Sequence, residues 1–364
     1  MKFLRSLFFG DRFRMLRASF WALLFSLAAG ALILFLMGKN PVSAYANLLQ
    51  GAGLLPKLKY AGRQNQLTDF LSFLDAMTPM VFASLSVATA LRAGFFNIAV
   101  PGQMLAAGFC AHIVMAALGD ALPSPLAKIL VLVIGIAVGA ALSACMGWLK
   151  YRFNVNEVVT SIMLNSIVMY LVTFYINTFY VNPITRQSRP ISDAARLTLS
   201  GVRWNGLKAD FALAFPLAIL AAFLLRTFLE RTTYGFEIRA LGLSRGAARY
   251  SGISLGQTTL LTMAISGALG GLAGVAYFCG CFASIQPGTM PGMGFDAIAV
   301  ALLGGGQPLG CVFASFLITI ISEGSVYMSS RLSVEPEIAS LITSVILIFS
   351  ACSASFGGRR GGHD

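Results

Sequence analysis

The polar residues with chemistry to offer are few, and they stand inside or at the edges of long apolar runs. One group lies in Leu91-Arg-Ala-Gly-Phe-Phe-Asn-Ile-Ala-Val-Pro-Gly-Gln-Met-Leu105, where Asn97 and Gln103 flank Pro101-Gly102. A second lies in Gly294-Phe-Asp-Ala-Ile-Ala-Val-Ala-Leu-Leu-Gly-Gly-Gly-Gln-Pro-Leu-Gly310, with Asp296 before the apolar stretch and Gln307 at its break. Asn165 stands in a third run, roughly two helical turns beyond Glu157. Side-chain amides and freed backbone groups at a helix entrance suit a neutral polar solute, which must exchange hydrogen bonds to water for bonds to protein. The same residues also fit plain helix starts, with Pro in the first turn, and hydrogen bonding between helices. Both readings stay open on the residues alone.

Covalent and metal chemistry have almost nothing to use. His112 lies in an apolar stretch and His363 in the tail, while Cys110, Cys145, Cys279, Cys281, Cys311 and Cys352 all fall within apolar segments. Cys279-Gly-Cys281 is too close for an ordinary disulfide, and no neighbouring His suggests a metal site. There is no Ser/His/Asp or Cys/His constellation and no G-x-x-x-x-G-K-[ST] phosphate cradle. The chain is therefore expected to be no enzyme, to hold no cofactor or metal, and to leave any ATP hydrolysis to a partner.

The elements that carry these residues are set by composition. Of 364 residues 57% are hydrophobic and only 11% charged, which excludes an ordinary water-soluble surface. The net charge of +12 would hint at nucleic acid in a soluble protein, but here the basic residues fall mainly in short stretches between apolar runs, where they set topology and meet anionic headgroups. A bilayer crossing needs about 20 apolar residues. Runs at 18–38, 70–92, 126–149, 158–181, 210–229, 258–282 and 337–352 qualify, and those at 98–118 and 295–328 are interrupted, the second by Gly304-Gly305-Gly306-Gln307-Pro308. The expected fold is an all-α polytopic membrane protein of about 8–10 transmembrane or re-entrant helices. Basic residues place the segment 1–17, the turn at Lys150 and Arg152, the segment 226–257 and the tail 354–364 in the cytoplasm, around a single membrane domain spanning 18–353. The loops 39–69 and 182–208 are basic too, yet alternation puts both outside. The second, with Pro183, Pro190 and Asn205-Gly206, reads as a solvated connection or a contact for an external partner.

Ionisable groups inside apolar runs are expensive. Asp75 and Glu157 stand near the ends of theirs, where they reach interface water; Asp296 and Glu323 lie deeper. The two interrupted runs share a faint pattern, Phe96-Asn97-x-Ala99-Val100 against Phe295-Asp296-x-x-Ala299-Val300. Paired broken helices of this kind point to a transport site.

The stretch Gly235-Phe-Glu-Ile-Arg-Ala-Leu-Gly-Leu-Ser-Arg-Gly-Ala-Ala-Arg-Tyr-Ser-Gly-Ile253 has its own helical design inside a cytoplasmic loop. Ser244 is placed to N-cap a short helix whose Ala247 and Ala248 allow close approach, and Gly252 to end it in the left-handed conformation. Arg239, Arg245 and Arg249 surround it. The pattern fits docking on a soluble protein, and equally a basic topogenic loop lying on headgroups.

In order and spacing these passages resemble the membrane permeases of bacterial ABC importers for branched-chain amino acids, ribose-type sugars and nucleosides, from about residue 70 to 349. The loop is similar to that family's ATPase-coupling segment, G-x-x-x-R-A-x-G-x-N-x-x-A-A-x-x-x-G-I. Gly235, Arg239, Ala240, Gly242, Ala247, Ala248, Gly252 and Ile253 match it, and Ser244 stands for the usual Asn. Phe96-Asn97-Ile98-Ala99-Val100-Pro101-Gly102-Gln103 and Asn156-Glu157-Val158-Val159, with Ser161 and Met163-Leu164-Asn165, resemble the nucleoside and simple-sugar branch, in its larger subunit. Ala99 and Pro101 depart from that branch's Gly and Glu, so no role of the acid carries over.

The resemblance implies a pore-forming subunit in the bacterial inner membrane, paired with a second permease (a heterodimer), two ABC ATPase subunits and an extracytoplasmic binding protein. It implies inward movement of a nucleoside or ribose-type sugar, with branched-chain amino acids next. An ion-coupled secondary transporter acting alone is the alternative from another class. Asn97, Gln103, Asn165, Asp296 and Gln307 are the expected solute-pathway residues. Replacing Gly242 by a bulky residue is expected to uncouple transport and leave the fold intact.

Overall fold

The computed structural model describes residues 14–57, 60, 65–118, 122–204, 207–332 and four isolated positions between 341 and 348. Most of the run 337–352, the segment 1–13 and the tail 354–364 lie outside the described residues, as does the Asn205-Gly206 pair.

Six described helices are long and apolar enough to cross a membrane, which makes this a multi-pass membrane protein. They are α3 (Gln66–Arg92), α4 (Val100–Leu118), α5 (Ser124–Phe153), α6 (Glu157–Tyr175), α10 (Leu255–Ala276) and α12 (Pro308–Leu332). Helices α6 and α10 each run on through a wider π-helical turn, Ile176–Tyr180 and Tyr277–Cys281. The remaining helices are α1 (Arg14–Leu36), α2 (Pro41–Gly51), α7 (Ala214–Arg231), α8 (Thr233–Leu243), α9 (Arg245–Tyr250) and α11 (Met293–Leu303).

Helix α3 is the axis of the bundle. Every residue from Met77 to Ala90 is buried, so no face is left for lipid, and this is the pattern of a helix surrounded by others. Helix α6 shows the opposite arrangement. Ser161, Asn165, Val168 and Val172, spaced 4, 3 and 4, are buried, whereas Ile162, Met163, Ile167, Tyr170, Leu171 and Phe174 are exposed to where lipid would lie.

The closest helix pair is α5 against α10. Gly135 and Gly139 face Gly267 and Gly271, and a Cβ at any of the four would press on the opposite helix. This small-xxx-small pairing lets backbones approach where burial from water supplies no driving force. The two helices run antiparallel, since Gly147 meets Met263 and Gly256 meets Tyr151 further along.

Helix α2 turns back by 119° from the last turns of α1. Lys39 Nζ donates to the Leu332 carbonyl at 2.7 Å, and Leu48 and Gly51 pack on Gly324, so α2 descends along α12 from that end. The broken run at 295–328 divides as expected, into α11 and α12 around Gly304–Gln307, with Gly305 and Gly306 at φ 62° and 63°.

Several expectations need correction. The run at 210–229 does not begin a helix at 210, because residues up to Ala212 form strand β2 (Leu207–Ala212), antiparallel to β1 (Thr198–Trp204), and α7 starts at Ala214. The stretch 182–208 is not a simply solvated connection either. The amides of Ser188 and Ile191 pair with the carbonyls of Ile285 and Ala283, and Ala195, Leu197 and Thr198 are buried. Periodicity in an apolar run cannot register a strand whose hydrogen-bond partner is another short polar segment. Asp75 accepts from Thr198 Oγ1 at 2.8 Å beneath this cover, and Glu157 pairs with Lys150 at 2.6 Å, so neither simply reaches interface water; Glu323 is exposed on α12.

Candidate functional site

The chain leaves α3 through a corner at Ala93–Phe95. Gly94 takes φ 72°, its amide bonds the Leu91 carbonyl, and the Phe95 amide reaches back to the Ala90 carbonyl at 3.0 Å. These two bonds form a Schellman motif, which closes the helix firmly. The chain then re-enters the bundle to Asn97, three residues before α4 begins at Val100.

Asn97 is buried and fully used. Its Oδ1 accepts from the Ala99 amide at 3.0 Å and its Nδ2 donates to Ser266 Oγ at 2.9 Å. Ser266 Oγ in turn donates to the Ser86 carbonyl at 2.8 Å, while Ser86 Oγ donates to the Ser266 carbonyl at 2.6 Å. Gln103 Nε2 points to Asn97 Oδ1 at 3.4 Å, and its own Oε1 is buried, with no hydrogen-bond partner among the described residues. Asn165 comes from α6 to the same place: its Oδ1 accepts from the Gly102 amide and its Nδ2 donates to the Ile98 carbonyl, both at 3.0 Å. A helix start leaves its first amides without partners, and in lipid no water can supply them. Asn97 and Asn165 meet that need from two sides.

The start of α11 meets the start of α4. Gly294 packs directly on the backbone of Pro101, and a side chain at 294 would collide with the Pro101 ring. Asp296, two residues on, is half-buried; its amide bonds the Gly292 carbonyl, and its carboxylate forms no hydrogen bond or ion pair among the described residues. The structure thus gathers Asn97, Gln103 and Asn165 into one buried cluster and brings Asp296 close to it. Gln307 is not there: it is exposed in the turn after α11, beside Gly306, whose carbonyl accepts from Arg92 Nε at 2.8 Å. Seven residues of helix separate Asp296 from Leu303, about 10 Å at the usual rise.

The loop 235–253 forms two helices. Thr232 caps α8 through the Gly235 amide at 3.0 Å, and Ser244 caps α9 through the Ala247 amide at 3.3 Å. Gly252 takes φ 79°, and the Ile253 amide returns to the Ala248 carbonyl. Ala248 is buried and Ala247 exposed, while Arg239 Nε donates to the Gly235 carbonyl at 3.3 Å. Gly235 lies on the backbone of Phe228 and Leu229, so only glycine fits the α7–α8 junction. Leu243 and Tyr250, at the ends of α8 and α9, are 89% and 96% exposed. A cleft of about 560 Å³ lies between the start of α8 and the end of the loop, lined by Glu230, Thr233, Phe236, Glu237 and Ile253 among others.

Gly242 is packed more tightly than the sequence suggests: a Cβ there would overlap the Arg92 carbonyl and touch Ala93, so a bulky residue must shift the loop or the end of α3.

The sequence reasoning did not single out Ser86, Ser266 or the tie from Arg92 to Gly306. The signal for the serines was present, since each is a small polar residue inside an apolar run. Which amide they serve depends on a partner on another helix.

Residues 70–351 match the family described as branched-chain amino acid transport system / permease component. The chain is 32% identical over 336 residues to the nucleoside ABC transporter permease protein NupB of Lactococcus lactis subsp. cremoris, covering 91% of this chain and 89% of that protein. It is 32% identical over 334 residues to the guanosine ABC transporter permease protein NupP of Bacillus subtilis, with 91% and 92% covered. It is 27% identical over 344 residues to the glucose ABC transporter permease protein TsgB13 of Haloferax volcanii, with 93% and 87% covered. With its multi-pass bundle and a family match over most of its length, the chain belongs to the branched-chain amino acid transport system permease family.

Proposed function

We propose that this chain is a translocating subunit of an ABC importer that carries nucleosides across the bacterial inner membrane, with ATP bound and hydrolysed on separate ATPase subunits. The observation that carries the reading is similarity along nine-tenths of the chain to two permeases named for nucleoside and guanosine transport. The geometry supports it in two places. Two helix starts converge inside the bundle at Gly294 and Pro101, with Asp296 beside them. The α8–α9 pair presents Leu243 and Tyr250 outward, as a surface awaiting a soluble partner would.

In this reading the 230–257 loop faces the cytoplasm and receives motion from the ATPases through Gly235, Arg239, Gly242, Ser244, Ala247, Ala248 and Gly252. The solute passes near Asp296 and the cluster of Asn97, Gln103 and Asn165, with Gln307 at the inner mouth. A second, shorter permease completes the pore and an extracytoplasmic binding protein delivers the solute. The chain itself holds no cofactor.

The test is uptake of labelled guanosine, ribose and leucine by cells with and without the gene, together with copurification of an ATPase. Selective loss of guanosine uptake supports the proposal. Loss of ribose or leucine uptake alone overturns the substrate, and absence of an ATPase from the purified complex overturns the importer class in favour of a transporter acting alone.

A further inference from the structure

We propose that Arg92 is the positioning residue through which the α8–α9 segment moves the helix starts around Asn97, an inference that rests on the ATPase-coupling role proposed above. Three contacts converge on the corner that follows α3. Gly242 packs on the Arg92 and Ala93 backbone, and a Cβ at Gly94 would lie 3.4 Å from Gly242 Cα. The Arg245 guanidinium, at the start of α9, sits 5.0 Å from the centroid of the Phe95 ring. Arg92 Nε donates to the Gly306 carbonyl at 2.8 Å, in the turn between α11 and α12.

The corner is built to move as one piece, because the Schellman bonds from Gly94 and Phe95 lock it to the last turn of α3. Two residues beyond Phe95, Asn97 holds the start of α4 against Ser266. From the other side, Gly306 leads into α11, whose far end rests Gly294 on Pro101 of α4. Contacts therefore close a ring: Arg92 to Gly306, along α11 to Gly294, across to Pro101, and back through Asn97 and Phe95. Displacing the α8–α9 segment moves the corner directly, and Arg92 makes α11 follow. Without its guanidinium the corner shifts and α11 stays behind.

An ordinary structural ion pair does not account for Arg92. It forms no salt bridge among the described residues, and Arg239 of α8, a like charge, lies within its electrostatic reach together with Glu230 of α7. Its hydrogen bond goes to a carbonyl in a turn where Gly305 and Gly306 both have positive φ. The Gly305 and Gly306 amides bond the Leu302 and Ala301 carbonyls, the same pair of bonds as at Gly94 and Phe95, so this turn is fixed to the end of α11 and passes the pull of Arg92 on to it.

The experiment uses the complete transporter, with both permeases, the ATPases and the binding protein, in proteoliposomes, and reads solute taken up per ATP hydrolysed. Arg92→Gln is expected to lower that ratio by about tenfold or more, the effect of losing one charge-assisted bond, while hydrolysis stimulated by loaded binding protein persists. Arg92→Lys, which keeps the charge and a donor, is expected to recover to within roughly threefold of the wild type. An unchanged ratio in an intact Arg92→Gln complex overturns the inference. If that variant does not assemble, Arg92→Met takes its place, keeping the apolar stem and removing every donor to the Gly306 carbonyl; a lowered ratio supports the inference and an unchanged one overturns it. If the wild-type complex shows no ATP-driven uptake, the proposed function falls and this inference with it; if the wild type couples and Arg92→Gln couples equally well, only the inference falls.

Discussion

Asn165 on α6 holds Gly102 on α4 by a hydrogen bond of 3.0 Å, and the other end of the same amide holds the Ile98 carbonyl. One side chain thereby closes the start of a neighbouring helix with both a donor and an acceptor. Asn165 is 3% exposed, so in this conformation it is committed to protein and not to solute.

Asn165→Leu is expected to leave the Gly102 amide and the Ile98 carbonyl unpaired, at about 1–3 kcal/mol for each orphaned group. The thermal midpoint of the purified protein should fall, and uptake should fall with it. Lost uptake at an unchanged midpoint would return Asn165 to the solute pathway.

Gly139→Ala is expected to destabilise the bundle by about 1–3 kcal/mol, through forced separation of two closely packed helices. The added methyl meets the Gly267 carbonyl and Gly271 on α10. Chemical denaturation in detergent reads this, with Ala140→Gly on the same helix as the comparison for propensity alone. Equal stability of the Gly139 variant and the wild type would mean that α5 and α10 are not in this contact.

Asp296→Asn is expected to keep or raise stability, since a half-buried carboxylate in the first turn of α11 with no side-chain partner among the described residues costs more to bury than an amide. Uptake is expected to fall by roughly tenfold, the loss of one charge-assisted bond to solute. A drop in stability, with uptake falling only in proportion, would make Asp296 a structural group.

Tyr250→Ala and Leu243→Asp are expected to weaken ATPase association by about 2 kcal/mol or more, roughly 30-fold, as befits apolar anchors at the centre of a docking surface. Both residues are almost fully exposed, so the permease alone should keep its thermal midpoint. Titration of purified ATPase on permease in nanodiscs measures the affinity. Unaltered affinity in both variants would remove α9 from the ATPase interface. These positions make a cleaner test than Gly242, which is packed on Arg92.

Much of the architecture was legible because its causes are local. The runs that became α3, α4, α5, α6, α10 and α12 are long and apolar, and in a bilayer a backbone with no water must satisfy itself as a helix. The caps were legible for the same reason: Ser244 bonds a residue three positions on, and Gly252 needs only its own φ. The strand pair at 198–212 was hidden, since β2 is a short mixed-polarity segment fused to the apolar run that starts α7.

What the sequence determined by itself was the membrane class, the places where helices start and break, and the family resemblance carried by the 235–253 loop. Which groups Asn97, Gln103 and Asn165 bond inside the bundle was decided only in the tertiary structure. An amide has donors and acceptors enough for several partners, and its choice depends on what lies within 3 Å of it. For Asn97 that neighbour is Ser266, 169 residues away along the chain, and for Asn165 it is Gly102, 63 residues away. Hydropathy is a property of each segment alone, whereas hydrogen-bond partnership belongs to the packing of several segments at once.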